Sequence, residues 1–155
     1  MKGLWLIIRV ACVLLQAVEI RSARNITIDD TSPLVHYGGK WGRSNANIFS
    51  HEGSHATNRD MNGSASFAFT GVGVYFLSPL FSIPIAVTLT LDGRPPEVVD
   101  LQTTVTLNIY ESEASSARWG ATDLDNVTHS LVVTYGKPLN NTPGPAPYTV
   151  VDGFM

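Results

Sequence analysis

The amino-acid sequence predicts an all-β domain, a jelly-roll β-sandwich of about nine strands, on three observations. Apolar residues after position 24 recur at every second position. No stretch beyond the leader shows apolar residues at i, i+3, i+4 and i+7 over three turns. Turn-forming residues interrupt the chain at roughly ten-residue intervals. With no helix to cover a sheet, two sheets must bury each other's apolar faces, which makes a sandwich the expected architecture.

The strands are expected near 26–29, 34–37, 54–58, 64–70, 72–78, 85–91, 104–110, 129–135 and 147–152. Four of these runs carry the alternation most clearly: Ala65, Phe67 and Phe69; Val87, Leu89 and Leu91; Val105, Leu107 and Ile109; Leu131, Val133 and Tyr135. Ser, Thr and Asn fill most of the intervening positions, with Ala68 and Val132 the exceptions, so each run has an apolar face for a core and a more polar face for water. Gly71, Ser78-Pro79, Asp92-Gly93-Arg94-Pro95-Pro96, Gly120 and Gly136-Lys137-Pro138 separate them, and Asp92-Gly93 is a strong tight-turn signal. Pro143 to Pro147 reads as a stiff connector before the last strand.

The first stretch sets the expected compartment. Lys2 precedes an apolar run from Leu4 to Val18, interrupted by Arg9 and Gln16, with small residues at Ala17, Ser22 and Ala23. The run is shorter than the ~20 residues a membrane span needs and suits a signal peptide over 1–23, cleaved after Ala23. An uncleaved signal anchor is the alternative. Residues 24–155 then form a single β-sandwich domain, strand-like to Met155. Either the final strand closes the sandwich there, or the domain is C-terminally truncated and a membrane span follows.

Loss of Lys2, Arg9, Arg21 and Glu19 takes the formal charge from −3 to −5. A mildly acidic surface argues against nucleic acid or an anionic membrane as partner. Cys12 is the only cysteine and leaves with the leader, so packing alone must hold the domain. Four sequons, at Asn25, Asn62, Asn126 and Asn140, agree with secretion and are expected on the surface.

His51-Glu52-Gly53-Ser54-His55 matches the zinc-protease motif letter for letter. That motif works on a helix, where i and i+4 imidazoles share a face. Gly53 and Ser54 are poor helix interiors, and no third ligand follows at the required spacing, so the match reads as chance. His36 and His129 stand apart from these two, and no nucleophile accompanies any histidine at motif spacing. The acidic pairs Asp29-Asp30, Asp92 with Glu97 and Asp100, Glu111-Glu113 and Asp123-Asp125 read as solvated turn residues. A structural calcium is chemically conceivable at Asp123-Leu-Asp125-Asn126; otherwise no cofactor is expected. Trp41 and Trp119 sit beside turn residues. Exposed rings on loops stack on sugars, whereas buried ones plug the end of a sandwich. Trp41, Trp119, Tyr37 and Asp125 are therefore the candidate ligand-binding residues.

Several blocks together carry a family resemblance: Asn25-Ile-Thr-Ile-Asp-Asp-Thr-Ser-Pro-Leu-Val-His-Tyr, Gly63 through Tyr75, Thr88-Leu-Thr-Leu-Asp-Gly93, Leu124 through Thr134, and Tyr148-Thr-Val-Val-Asp-Gly153. They resemble a large, mostly uncharacterised group of secreted or single-span cell-surface proteins of mushroom-forming fungi. The resemblance implies a jelly-roll ectodomain similar to galactose-binding domains, and no catalytic residues. It also implies, for many members, a Ser/Thr-rich stalk and a membrane helix beyond the point where this chain stops. The expected function is a non-catalytic extracellular module binding cell-wall or other glycans. The alternative is a structural or sensory cell-surface ectodomain contacting protein partners, and an enzyme ranks third. Membrane association is expected only through an uncleaved leader or a following span.

Overall fold

The computed structural model describes residues 24–44, 48–105, 111–138 and 148–155. The predicted signal peptide, the sequon at Asn140, the Pro143–Pro147 connector and residues 106–110 lie outside the described residues. The strands are β1 (Ile28–Asp29), β2 (Val35–Gly38), β3 (Trp41–Arg43), β4 (Ala56–Asn58), β5 (Ser64–Gly71) and β6 (Val74–Phe81). There follow β7 (Ala86–Leu91), β8 (Glu97–Asp100), β9 (Glu111–Ala121), β10 (Val127–Gly136), β11 (Thr149–Val151) and β12 (Gly153–Phe154). A 3-10 turn, His51–Gly53, precedes β4.

These strands make a jelly-roll β-sandwich. A five-stranded sheet runs β2-β5-β10-β7-β8, a four-stranded sheet runs β1-β12-β6-β9, and a three-stranded sheet runs β11-β4-β3. Every ladder is antiparallel. Register explains the core. Val35, Phe67, Leu131 and Leu91 lie in one row across four strands, and Ala65, Val133 and Leu89 in another. All seven are buried, while the neighbouring row of His36, Ser66, Val132 and Thr90 faces outward. A one-residue slip of any strand would exchange the two rows, so the pattern pins the register. Phe76, Phe81 and Phe154 meet this face from the opposing sheet and are fully buried, each contributing about 1.5–3 kcal/mol by burial.

The structure departs from the sequence reading in its strand count: twelve described strands, where about nine were expected. Of the strand expected at 104–110, residues 104 and 105 are irregular chain after an isolated bridge at Gln102, and 106–110 lie outside the described residues. The long strand comes later. β9 has mostly small or polar residues on both faces, because among the described residues it lies at a sheet edge and pairs with β6 alone. It shows no alternation, and bulges interrupt its register. The run expected at 147–152 is split at Asp152 into β11 and β12, which join different sheets.

The Asp92-Gly93 turn forms as expected, with φ of 50° and 66° at the two positions, the signature of a type I′ hairpin turn. Asp92 also holds β10: its carboxylate accepts from the Ser130 N–H and lies 2.8 Å from His129 Nδ1. The Asp125 carbonyl and then the Asp92 carboxylate favour protonation of His129, raising its pKa above the ordinary 6.5. Removing the carboxylate by Asp92→Asn is therefore expected to move His129 downward, which titration of its ring protons by NMR would register.

Candidate functional site

Strand direction sorts the candidate binding residues onto opposite ends of the sandwich. Tyr37 pairs with Ala65 near the start of β5, whereas Asp125 precedes Val127, which pairs with Gly71 at the end of β5. Six residues of strand separate the two levels, roughly 20 Å at about 3.3 Å per residue. Trp119 pairs with Phe76 of β6, and its Nε1 donates to Glu97 on β8 at 3.1 Å. That strand is the far edge of the sheet from β2. The two tryptophans thus do not line one groove. Both also stand in strands, Trp41 opening β3 and Trp119 inside β9, not on the loops the sequence suggested.

Tyr37 and Trp41 do come together. The turn from β2 to β3 folds through Gly39 at φ +94°, which an L side chain adopts only with strain. Their ring centroids are 4.8 Å apart at 51°, and both rings are half-buried against the core. Each polar handle is already used: Trp41 Nε1 donates to the Gly38 carbonyl at 3.0 Å, and Tyr37 Oη to the Asp30 carbonyl at 2.8 Å. Burial pushes the Tyr37 phenol well above its ordinary range, and the nearby Asp30 charge acts in the same direction. The rings are consequently fixed before any ligand arrives.

Sequence reasoning missed three neighbours. Trp41 pairs with Asn58 on β4, and Asn58 pairs with Thr149 on β11, which brings Arg59 and Tyr148 alongside. The Arg59 guanidinium sits 5.7 Å over the Tyr148 ring. Asn58 is buried with its Nδ2 lacking a hydrogen-bond partner among the described residues. It is pressed against Gly63, where a Cβ would fall 2.0 Å from that nitrogen. This Trp41 end therefore gathers three aromatic rings and a guanidinium from β2, β3 and the residues flanking β4 and β11, around the buried Asn58 amide. No sequence signal announced it, since the residues come from positions 37 to 148 and only sheet pairing unites them.

A concavity occupies the Asp125 end. A cleft of about 770 Å³ lies between the segment at 24–28, the β5–β6 turn and the β9–β10 loop, and Asn25, Asn126 and Phe69 are among its lining residues. Asp123 and Asp125, the calcium candidates, are both exposed on that loop, and Asp123 accepts from the Thr122 hydroxyl. Among the described residues, no three His, Cys, Asp or Glu side chains group as metal ligands do.

The zinc-protease letters fold into something else. His51–Gly53 is a 3-10 turn with Glu52 at φ 48°, so His51 and His55 share no helical face. His55 is fully buried: Ser50 Oγ lies 2.7 Å from its Nδ1, and Glu111 Oε1 lies 3.6 Å from its Nε2. A hydroxyl and a carboxylate thus flank the imidazole, a grouping the sequence did not show, but Nε2 makes no hydrogen bond among the described residues. Phe81 closes edge-on over the ring at 5.9 Å and the hydroxyl lies inside the fold, where it braces the turn against β4. Burial holds the imidazole in its neutral form despite Glu111.

Asp29 and Asp30 overturn a further expectation. The sequence suggests solvated turn residues, yet both are buried, and Asp152 joins them. Asp30 N–H donates to the Asp152 carbonyl at 3.0 Å, and the Asp152 carboxylate accepts from the His51 N–H. Both Asp30 carboxyl oxygens lack hydrogen-bond donors among the described residues, with Arg43 Nη1 3.7 Å away. Desolvation and the Asp29 charge raise Asp30 to about 7. Desolvation raises Asp152 to about 6, partly offset by the Ser115 hydroxyl and the His51 N–H.

No family model and no curated protein sequence matches the chain. Solved structures do match in fold. A family 35 carbohydrate-binding module from Clostridium thermocellum is 15% identical, with 84% of this chain and 96% of that one covered and a TM-score of 0.54. The CBM36-1 domain of a multidomain xylanase from the hindgut metagenome of Trinervitermes trinervoides is 11% identical over 83% and 93%, with a TM-score of 0.51. An exo-β-1,3-galactanase from Phanerochaete chrysosporium is 14% identical over 86% of this chain, with a TM-score of 0.56, and this chain spans 29% of its length. At these identities the likeness is one of fold: the chain has the architecture of these two carbohydrate-binding modules and of one part of the larger galactanase.

Proposed function

We propose that this domain is a non-catalytic extracellular module that binds cell-wall or other glycans at its Trp41 end. The observation that carries the reading is the fixed Tyr37–Trp41 pair, whose polar atoms are spent on the backbone and whose ring faces remain part-exposed. Sugars present C–H faces that stack on such rings and hydroxyls that need polar partners. The exposed Arg59 stands beside the rings to meet hydroxyls, and recognition needs no cofactor. The likeness to whole carbohydrate-binding modules supports the assignment.

The test is retention of the enzymatically deglycosylated domain on insoluble polysaccharides and a glycan array. Trp41→Ala and Tyr148→Ala are each expected to weaken retention about tenfold, the equivalent of ~1.4 kcal/mol. Circular dichroism checks that each variant stays folded. Unchanged retention in both folded variants refutes the site.

A second reading, a structural or sensory ectodomain meeting protein partners, draws on the outer face of the five-stranded sheet. Its central rows are short, uncharged side chains: Ser66, Val132 and Thr90, then Ser64, Thr134 and Thr88. A flat face of this kind suits another protein, and a pull-down that recovers protein but no glycan would favour it.

A further inference from the structure

We infer that the cleft at the Asp125 end is a sheltered seat for this chain's own N-linked glycans, carried on Asn25 and Asn126. Both acceptor asparagines line the cleft, one from the segment before β1 and one from the β9–β10 loop, and both are exposed. Each heads an intact sequon, Asn25-Ile-Thr and Asn126-Val-Thr. The same rim carries three exposed apolar side chains: Ile26 is 61% exposed, Leu34 51% and Val72 45%. Val127, adjoining Asn126, is 54% exposed. Apolar patches of this kind are disfavoured on a secreted monomer unless something covers them.

The proximal N-acetylglucosamine residues of an N-glycan have apolar ring faces and acetamido methyl groups, a chemistry that fits this rim. Attachment itself is ordinary transfer. The Asn side-chain nitrogen bonds to sugar C1 of a lipid-diphosphate-linked oligosaccharide, the C1–O bond to the diphosphate breaks, and the nitrogen gives up one proton. The Asn62 sequon supplies an internal control. It lies in the β4–β5 turn at the opposite end of the sandwich, away from these four side chains. The inference is independent of the Trp41 end.

The experiment uses the full chain secreted from a eukaryotic host. Peptide mass spectrometry reads occupancy at each asparagine, and 1-anilinonaphthalene-8-sulfonate fluorescence reads exposed apolar surface. The N25Q/N126Q double variant is expected to raise dye fluorescence about threefold over the glycosylated parent, whereas N62Q leaves it near the parent's value. Enzymatic glycan removal from the folded parent should reproduce the rise without any substitution. The inference is overturned if Asn25 and Asn126 leave the host unoccupied, or if N62Q and the double variant give equal dye signals.

Discussion

Phe154→Ala is expected to remove about 3–5 kcal/mol of stability, the range for deleting a buried aromatic ring. The side chain is fully buried, stacked on Phe67 at 4.7 Å and 12°, and tilted against Phe76 at 6.1 Å. It therefore touches both faces of the sandwich at once. Its strand is also the one that joins β1 to β6, through the pairs Ile28↔Phe154 and Phe154↔Phe76. A cavity here thus loosens the sheet along with the core. Domains of this size have about 5–15 kcal/mol in total, so the variant should unfold well below the parent's midpoint. Denaturant titration measures the difference; a loss under about 1 kcal/mol would show that the ring does not bridge the sheets.

The second large effect is a dependence on pH. Asp30 and Asp152 protonate near 7 and near 6 in the folded domain, against an ordinary 3.8. The folded state therefore binds more protons than the unfolded chain between about pH 4 and 7, and stability falls as pH rises through that window. A tenfold change in proton affinity between the two states is worth about 1.4 kcal/mol. Discounted by about half for relaxation and water entry at buried charges, the two groups together remove roughly 3 kcal/mol between pH 4 and pH 8. His55 acts in the opposite sense, since its depressed pKa favours the fold as pH rises towards 6.5. Asp30→Asn keeps the shape and abolishes the carboxyl held furthest from its ordinary range. It is expected to match the parent near pH 4.5 and to exceed it at pH 8. Parallel stability curves for the two proteins across that range would refute the account.

How much of this was legible depends on where the information sits. β5, β7 and β10 were readable because each is central in its sheet and buries one face only, so Phe67, Leu89 and Leu131 alternate with hydroxyl residues. β9 was not, because an edge strand with Ser and Ala on both faces has no period to detect. The burial of Asp29 and Asp30 was hidden for another reason: Asp152, which joins them, lies more than a hundred residues away, and local composition says only that adjacent acids prefer water. The candidate site fared likewise. Tyr37 and Trp41 are close in sequence and meet in space across one turn. Their separation from Trp119 and Asp125, and their association with Arg59 and Tyr148, follow from strand pairing that no local pattern encodes.

The pairing of Ile28 with Phe154 has a mechanical consequence. The segments leading away from these two residues leave from the same end of one antiparallel ladder. Tension applied through both would open that ladder rung by rung, like a zipper, and would not load its hydrogen bonds together in shear. Under a stretching force the module should yield early, shedding its boundary strands while the five-stranded sheet stays whole.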